Sequence, residues 1–132
     1  MPHALTGAWD GTYSYQGARG PVTPFLADLI DSAGSLSGSI TEPDAYHGTR
    51  ETLVAMIVGR RAGGAVEFSK LYVGAPTGYD LPVRYVGQLS QAGLSIVGSW
   101  TLAGTRGAFE MHRDRAVPEM AEADNANAVP AS

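Results

Sequence analysis

The chain has 132 residues, no cysteine and a net charge of −4. That length is enough for one domain with a true apolar core. The absence of cysteine excludes disulfides and thiolate metal sites and fits a reducing compartment. Most of the charge lies at the end of the chain, where Asp114, Glu119, Glu122 and Asp124 stand against Arg115 alone in 114–132. The remainder is close to neutral, without the basic footprint of a nucleic-acid binder. The start, Met1-Pro2-His3-Ala4-Leu5-Thr6-Gly7, has no basic stretch followed by an apolar one, so no signal peptide is expected. No apolar run approaches the ~18 residues of a membrane helix. The expectation is a cytoplasmic protein that contacts neither membrane nor nucleic acid.

Seventeen glycines and eight prolines punctuate the chain, and between them eight strands are predicted. The first is Trp9–Tyr15, followed by a loop through Gly20-Pro21. The second, Thr23–Ile30, carries Pro24 near its start, where a missing donor is tolerable. Asp31-Ser32-Ala33-Gly34 forms a tight connection with a glycine for positive φ. The third strand, Ser35–Thr41, is expected to stop at Glu42-Pro43, before the polar loop Pro43–Arg50. The fourth is Thr52–Gly59 and the fifth Ala65–Val73, joined by a turn at 60–64. A second long loop, Gly74–Asp80, leads to the sixth strand, Leu81–Leu89. The seventh, Leu94–Leu102, and the eighth, Gly107–Arg113, complete what reads as an antiparallel meander. A faint repeat places Leu29–Ile40 on Leu89–Trp100, so that Phe25 falls on Tyr85 and Ile40 on Trp100. The domain is expected to span 1–113, with 114–132 a flexible or disordered tail.

Side chains alternate faces along a strand. Nine of the eleven aromatics, namely Trp9, Tyr13, Tyr15, Phe25, Phe68, Tyr72, Tyr85, Trp100 and Phe109, take one face, with Leu53, Ala55, Ile57, Val66, Leu81, Val83, Leu94, Ile96 and Met111. The opposite face holds Glu67, Arg84, Gln88, Ser99, Glu110 and His112. Eight short antiparallel strands with one apolar face either stack as two sheets or close, and closure removes aggregation-prone edges. The fold class expected is therefore all-β, an eight-stranded up-and-down barrel. Inward glycines at Gly11, Gly38, Gly87 and Gly98 suit tight coiling or make room for large neighbours. The fourth strand departs from the pattern, because Thr52, Val54, Met56 and Val58 make its second face apolar too. Either a loop or the tail covers that face, or 52–59 is the interface of a homo-oligomer.

Gly7-Ala8-Trp9 at the head of the first strand resembles the Gly-x-Trp signature of calycins, the superfamily of lipocalins, fatty-acid-binding proteins and avidins. Across residues 5–113 the pattern is most similar to the avidins. Leu36-Ser37-Gly38-Ser39 resembles their third strand, and Ile96-Val97-Gly98-Ser99-Trp100-Thr101-Leu102 the late strand whose tryptophan walls the pocket. The resemblance implies an up-and-down barrel with a ligand cavity at one open end, and a lid in Pro43–Arg50, where Tyr46 and His47 lie. It does not carry biotin with it. The positions of the avidin asparagine, tyrosine and serine that ring the ureido oxygen fall near Gly11, Ile40 and Glu42.

Lys70 is the most unusual inward residue, between Phe68 and Tyr72 on one face. An amine among aromatics is desolvated and suits pairing with a ligand anion or carbonyl; the alternatives are a bulge in the strand or a side chain that snorkels to the rim. Tyr13, Tyr15, Tyr72 and Tyr85 add four hydroxyls, which suits a partly polar pocket for a planar ligand as well as ordinary packing. With Phe68, Trp100 and Met111, these residues are the candidate ligand-binding set. Arg113 is expected at a rim, and Asp10, Glu67 and Glu110 outside, so no catalytic carboxylate pair is predicted. His3, His47 and His112 have no metal-ligand spacing, and no phosphate loop, dinucleotide fingerprint or Gly-x-Ser-x-Gly is present. Neither metal nor cofactor is expected. The leading functional expectation is a carrier or sensor of a small apolar or aromatic molecule. The next is a cofactor-independent cyclase or isomerase of natural-product biosynthesis, in which Lys70 with Tyr72 or Tyr85 polarises a carbonyl. A third is a structural or oligomerising barrel.

Overall fold

The computed structural model describes residues 3–17, 22–44, 51–74 and 81–118. Those residues form strands and turns only: β1 (His3–Ala4), β2 (Gly7–Tyr15), β3 (Thr23–Ser32), β4 (Ser35–Pro43), β5 (Thr52–Ala62), β6 (Ala65–Tyr72), β7 (Val83–Leu89), β8 (Ser95–Leu102), β9 (Thr105–His112) and β10 (Val117–Pro118). β2 to β9 pair antiparallel in sequence order, and β2 also pairs with β9 from Asp10↔His112 to Tyr15↔Gly107. The sheet is a closed up-and-down barrel. β1 and β10 form a separate two-stranded ladder, His3↔Pro118 and Ala4↔Val117, so pairing continues past residue 113. The remainder of the expected tail, 119–132, lies outside the described residues.

Alternation is strict. Odd positions in β2, β3, β5, β7 and β9 and even positions in β4, β6 and β8 face inward, and almost all large inward side chains are buried. Phe68 and Tyr85, opposite each other in the β6–β7 register, stack at 4.8 Å and 9°, with Phe109 edge-on to both. Gly87 leaves room for the Phe109 ring, and Gly11 for Phe25, whose ring a Cβ at Gly11 would strike. Several expected boundaries shift. β4 runs on through Glu42 and Pro43, because Glu42↔Leu53 and Pro43↔Thr52 extend its ladder with β5; Pro43 is tolerated at the strand end, where no ladder donor is required. Leu81 and Leu94, expected inward, precede β7 and β8 and are exposed. Outside the alternating ladder, parity no longer dictates where a side chain points.

The outward face of β5 is open among the described residues: Val54, Met56 and Val58 are exposed, and Leu26, Ile30, Leu71 and Val73 widen the apolar band across β3–β6. Register places Met56 between Ser39 and Leu71. The outward acids behave as expected, with Glu67 bonded on the exterior to Arg84 at 2.8 Å and Asp10 and Glu110 in solvent.

The two ends of the barrel differ. At one, short turns at 33–34, 63–64 and 90–94 join neighbouring strands; at the other lie the long connections 16–22, 44–51 and 73–82 and the turn at 103–104. Leu5, fully buried, plugs the short-turn end. Its carbonyl accepts the Trp9 indole N–H at 2.8 Å and its own N–H donates to Asp31 Oδ2 at 2.9 Å. Asp31 also accepts from Arg61 Nε at 2.6 Å and from the Gly34 N–H at 2.8 Å, with both charged side chains buried. Arg113 completes the closure: its guanidinium lies 4.4 Å from the Trp9 ring and donates to the carbonyls of Ala4 and Gly93, each at 2.8 Å. Arg113, expected at a rim, lies one residue past β9 at this end of the barrel, where its cation both lies on the indole and satisfies two carbonyls.

Burial alone would raise the Asp31 carboxyl, but hydrogen bonds from Arg61 and from the Leu5 and Gly34 amides outweigh it and leave the group below its ordinary value. An acid depressed in the folded state contributes stability above the unfolded pKa, and that stability is lost as pH falls through the folded one. Asp31→Asn is therefore expected to destabilise the barrel at pH 7, by about 3 kcal/mol on the scale of a broken buried pair. It should also flatten the decline in stability below about pH 4. Urea unfolding of both proteins from pH 2 to 7 measures both effects.

Candidate functional site

The long-loop half of the barrel holds polar groups as well as rings. On β6, Val66, Phe68, Lys70 and Tyr72 share the inner face, and register sets Lys70 between Ile57 and Val83. The Lys70 side chain neither bulges out nor reaches solvent, and is 1 % exposed. Its partner is Glu42, inward on β4 in phase with Leu36 and Ile40, and the two meet at 2.8 Å as a buried ion pair. The second carboxylate oxygen accepts the Tyr13 hydroxyl at 2.7 Å. Tyr72 also turns its hydroxyl toward Glu42.

Three rings surround the ammonium. Lys70 Nζ lies 4.9 Å from the Tyr13 centroid, 4.7 Å from Tyr72 and 5.2 Å from Tyr85, within the range of cation–π attraction. Burial lowers the Lys70 amine while the Glu42 carboxylate opposes it, the balance falling below the ordinary value. Burial, then the nearby carboxylate, pushes the Tyr13, Tyr72 and Tyr85 phenols well up. All three stay protonated across the physiological range, as neutral donors. The Tyr85 side chain is 1 % exposed and its hydroxyl makes no hydrogen bond among the described residues.

Above this floor is a cavity of about 170 Å³ whose wall is Tyr13, Tyr15, Lys70, Tyr72, Val83, Tyr85, Trp100 and Leu102, with Leu81 and Thr105 also lining it. Trp100 is held by its indole N–H, which donates to the Ser14 carbonyl at 3.1 Å across the β2–β9 seam. Gly107 makes that approach possible, because a Cβ there would meet both partners. Tyr15 stands edge-on to Trp100 at 4.9 Å and is about half exposed.

The structure thus brings together six of the eight expected ligand-binding residues: Tyr13, Tyr15, Lys70, Tyr72, Tyr85 and Trp100. Phe68 and Met111 are placed in the packed core outside the cavity wall, Phe68 stacked on Tyr85. Tyr46 and His47, the expected lid, lie outside the described residues. Glu42 was missed by reading Glu42-Pro43 as a strand stop, although its parity with Leu36 and Ile40 was there to be read. Leu102 and Thr105 were missed because they flank a tight turn rather than occupy a strand centre. Among the described residues, no cluster of His, Asp or Glu has the arrangement of a metal site.

Comparison with known proteins adds no identity: no family model matches the chain, and no curated protein matches it.

Removing one member of a buried ion pair strands the other. Lys70→Met is accordingly expected to destabilise the barrel by about 3–5 kcal/mol. Adding Glu42→Gln removes the stranded charge and should restore more than half of the loss. A double-mutant cycle followed by urea unfolding reads the coupling.

Proposed function

We propose that this barrel binds a small planar molecule, aromatic or polyunsaturated, through its long-loop end, as a carrier or sensor. The observation that carries this reading is the cavity itself: aromatic walls of Tyr15, Tyr72 and Trp100 over a floor containing one charge-neutral ion pair and phenolic donors. A barrel filled only for stability has little use for tyrosines and a lysine, since aliphatic side chains fill such interiors without desolvating polar groups. A volume of about 150 Å³ accepts benzene in other proteins, so this cavity suits one or two rings. A longer ligand would extend past Tyr15, Leu81 and Thr105 at the mouth.

The closed eight-stranded order is compatible with a calycin-like scaffold. The likeness to avidins at Gly7-Ala8-Trp9 and Ile96–Leu102 is the finer form of that proposal. Biotin is not the ligand proposed, because Glu42 is engaged by Lys70 and Tyr13 where a ureido-binding hydroxyl would be needed.

One feature also favours the second reading, a cofactor-independent cyclase or isomerase. Lys70 and several phenols line one enclosed space, and fixed donors there could polarise a carbonyl while the walls hold a chain in a reactive fold.

Native mass spectrometry, together with melting curves across a panel of one- and two-ring planar metabolites, tests the proposal. Binding should raise the melting temperature and alter Trp100 fluorescence. Leu102→Trp, which fills the mouth from a partly exposed position, should abolish binding while leaving the far-UV circular dichroism of the barrel unchanged. No shift with any member of the panel would sink the idea.

A further inference from the structure

We infer that the cavity selects an uncharged planar ligand through a single carbonyl oxygen, which accepts the Tyr85 hydroxyl beside the Lys70 ammonium. This rests on the small-molecule reading above and narrows it to a chemical class: ketones, lactones, lactams and quinones, in preference to carboxylates, amines or plain hydrocarbons.

Three observations carry the choice. First, the acceptors of the floor are already committed. Glu42 Oε1 receives Lys70 and Oε2 receives Tyr13, so both carboxylate oxygens are already engaged within the floor. Second, donors remain. The Tyr85 hydroxyl, on a side chain almost wholly buried in the cavity wall, has no partner among the described residues. Lys70 has three N–H groups, and among the described residues its hydrogen bond to Glu42 uses one of them. Lys70 can only donate, so its remaining N–H groups beside the Tyr85 hydroxyl call for a ligand acceptor. Third, the charge of the floor is balanced. A ligand carboxylate would stand near Glu42 and give the enclosed space a net negative charge. A ligand ammonium would meet Lys70, which already occupies the ring of Tyr13, Tyr72 and Tyr85. Either charge would be buried without its own counterion. A hydrocarbon would expel water and leave the Tyr85 hydroxyl unsatisfied. A carbonyl avoids all three costs.

Phenols held protonated by burial keep their donor role over a wide pH range.

Four probes of similar shape make the test: 2-acetylnaphthalene, 2-ethylnaphthalene, 2-naphthoate and 2-naphthylmethylamine, titrated by calorimetry against the full chain and Tyr85→Phe. The ketone should bind the wild type at least about tenfold more tightly than the other three, the scale of one well-placed hydrogen bond or one unpaired buried charge. In Tyr85→Phe the ketone should fall to within about twofold of 2-ethylnaphthalene, whose own affinity should hardly change. A second readout does not depend on the variant. The carbonyl stretch of 2-acetylnaphthalene bound to the wild type should move to lower frequency than in an aprotic solvent. Equal or tighter binding of 2-naphthoate, the amine or the hydrocarbon overturns the carbonyl assignment while leaving the small-molecule reading standing. So does an unshifted carbonyl band, or a ketone preference that survives Tyr85→Phe. Failure of all four probes to bind overturns both.

Discussion

The seam between β2 and β9 is the constraint on which the rest depends. Once Asp10–Tyr15 pairs with Gly107–His112 the sheet has no edge, and every residue of inward parity enters one shared interior. In an open sheet an inward lysine could turn over an edge to water. In a closed barrel it needs a partner from another strand, because an unpaired buried charge is prohibitively costly. Lys70 and Glu42 answer that requirement across the intervening β5, and the phenols of Tyr13 and Tyr72 saturate the carboxylate further.

The same physics acts twice, with different results. At the short-turn end, Asp31 and Arg61 are satisfied by each other and by backbone groups, and Leu5, Trp9 and Arg113 leave that floor packed. In the long-loop half, the ion pair is ringed by aromatic faces rather than backbone, with space remaining above it. One polar pair closes the barrel and the other furnishes it. The cavity lies at the end where longer stretches of sequence join the strands, held by rigid strand residues.

Much of this was legible from period and punctuation. Trp9, Phe68, Tyr85 and Trp100 could be assigned inward because strand parity is a local property, readable wherever a run of alternating residues has turn signals on both sides. Lys70 stood out for the same reason: it breaks the chemistry of its face without breaking its phase. Glu42 has the right phase too, but Pro43 after it reads as a stop, and only the ladder with Leu53 and Thr52 shows that β4 continues. Asp31 was hidden likewise, in residues read as a turn before the pairing Asp31↔Leu36 extended β3.

The sequence by itself therefore determined the class of fold, the strand order and most of the side chains that share the interior, since each follows from alternation and from glycine and proline placement along the chain. What it could not determine were pairings between residues far apart in that order. Glu42 with Lys70, Arg61 with Asp31, Arg113 with Trp9 and Trp100 with Ser14 depend on strand register, barrel curvature and the direction of long side chains. Tertiary structure decided those, because closure brings distant strands around one axis and only there do the unsatisfied charges and donors of each find one another.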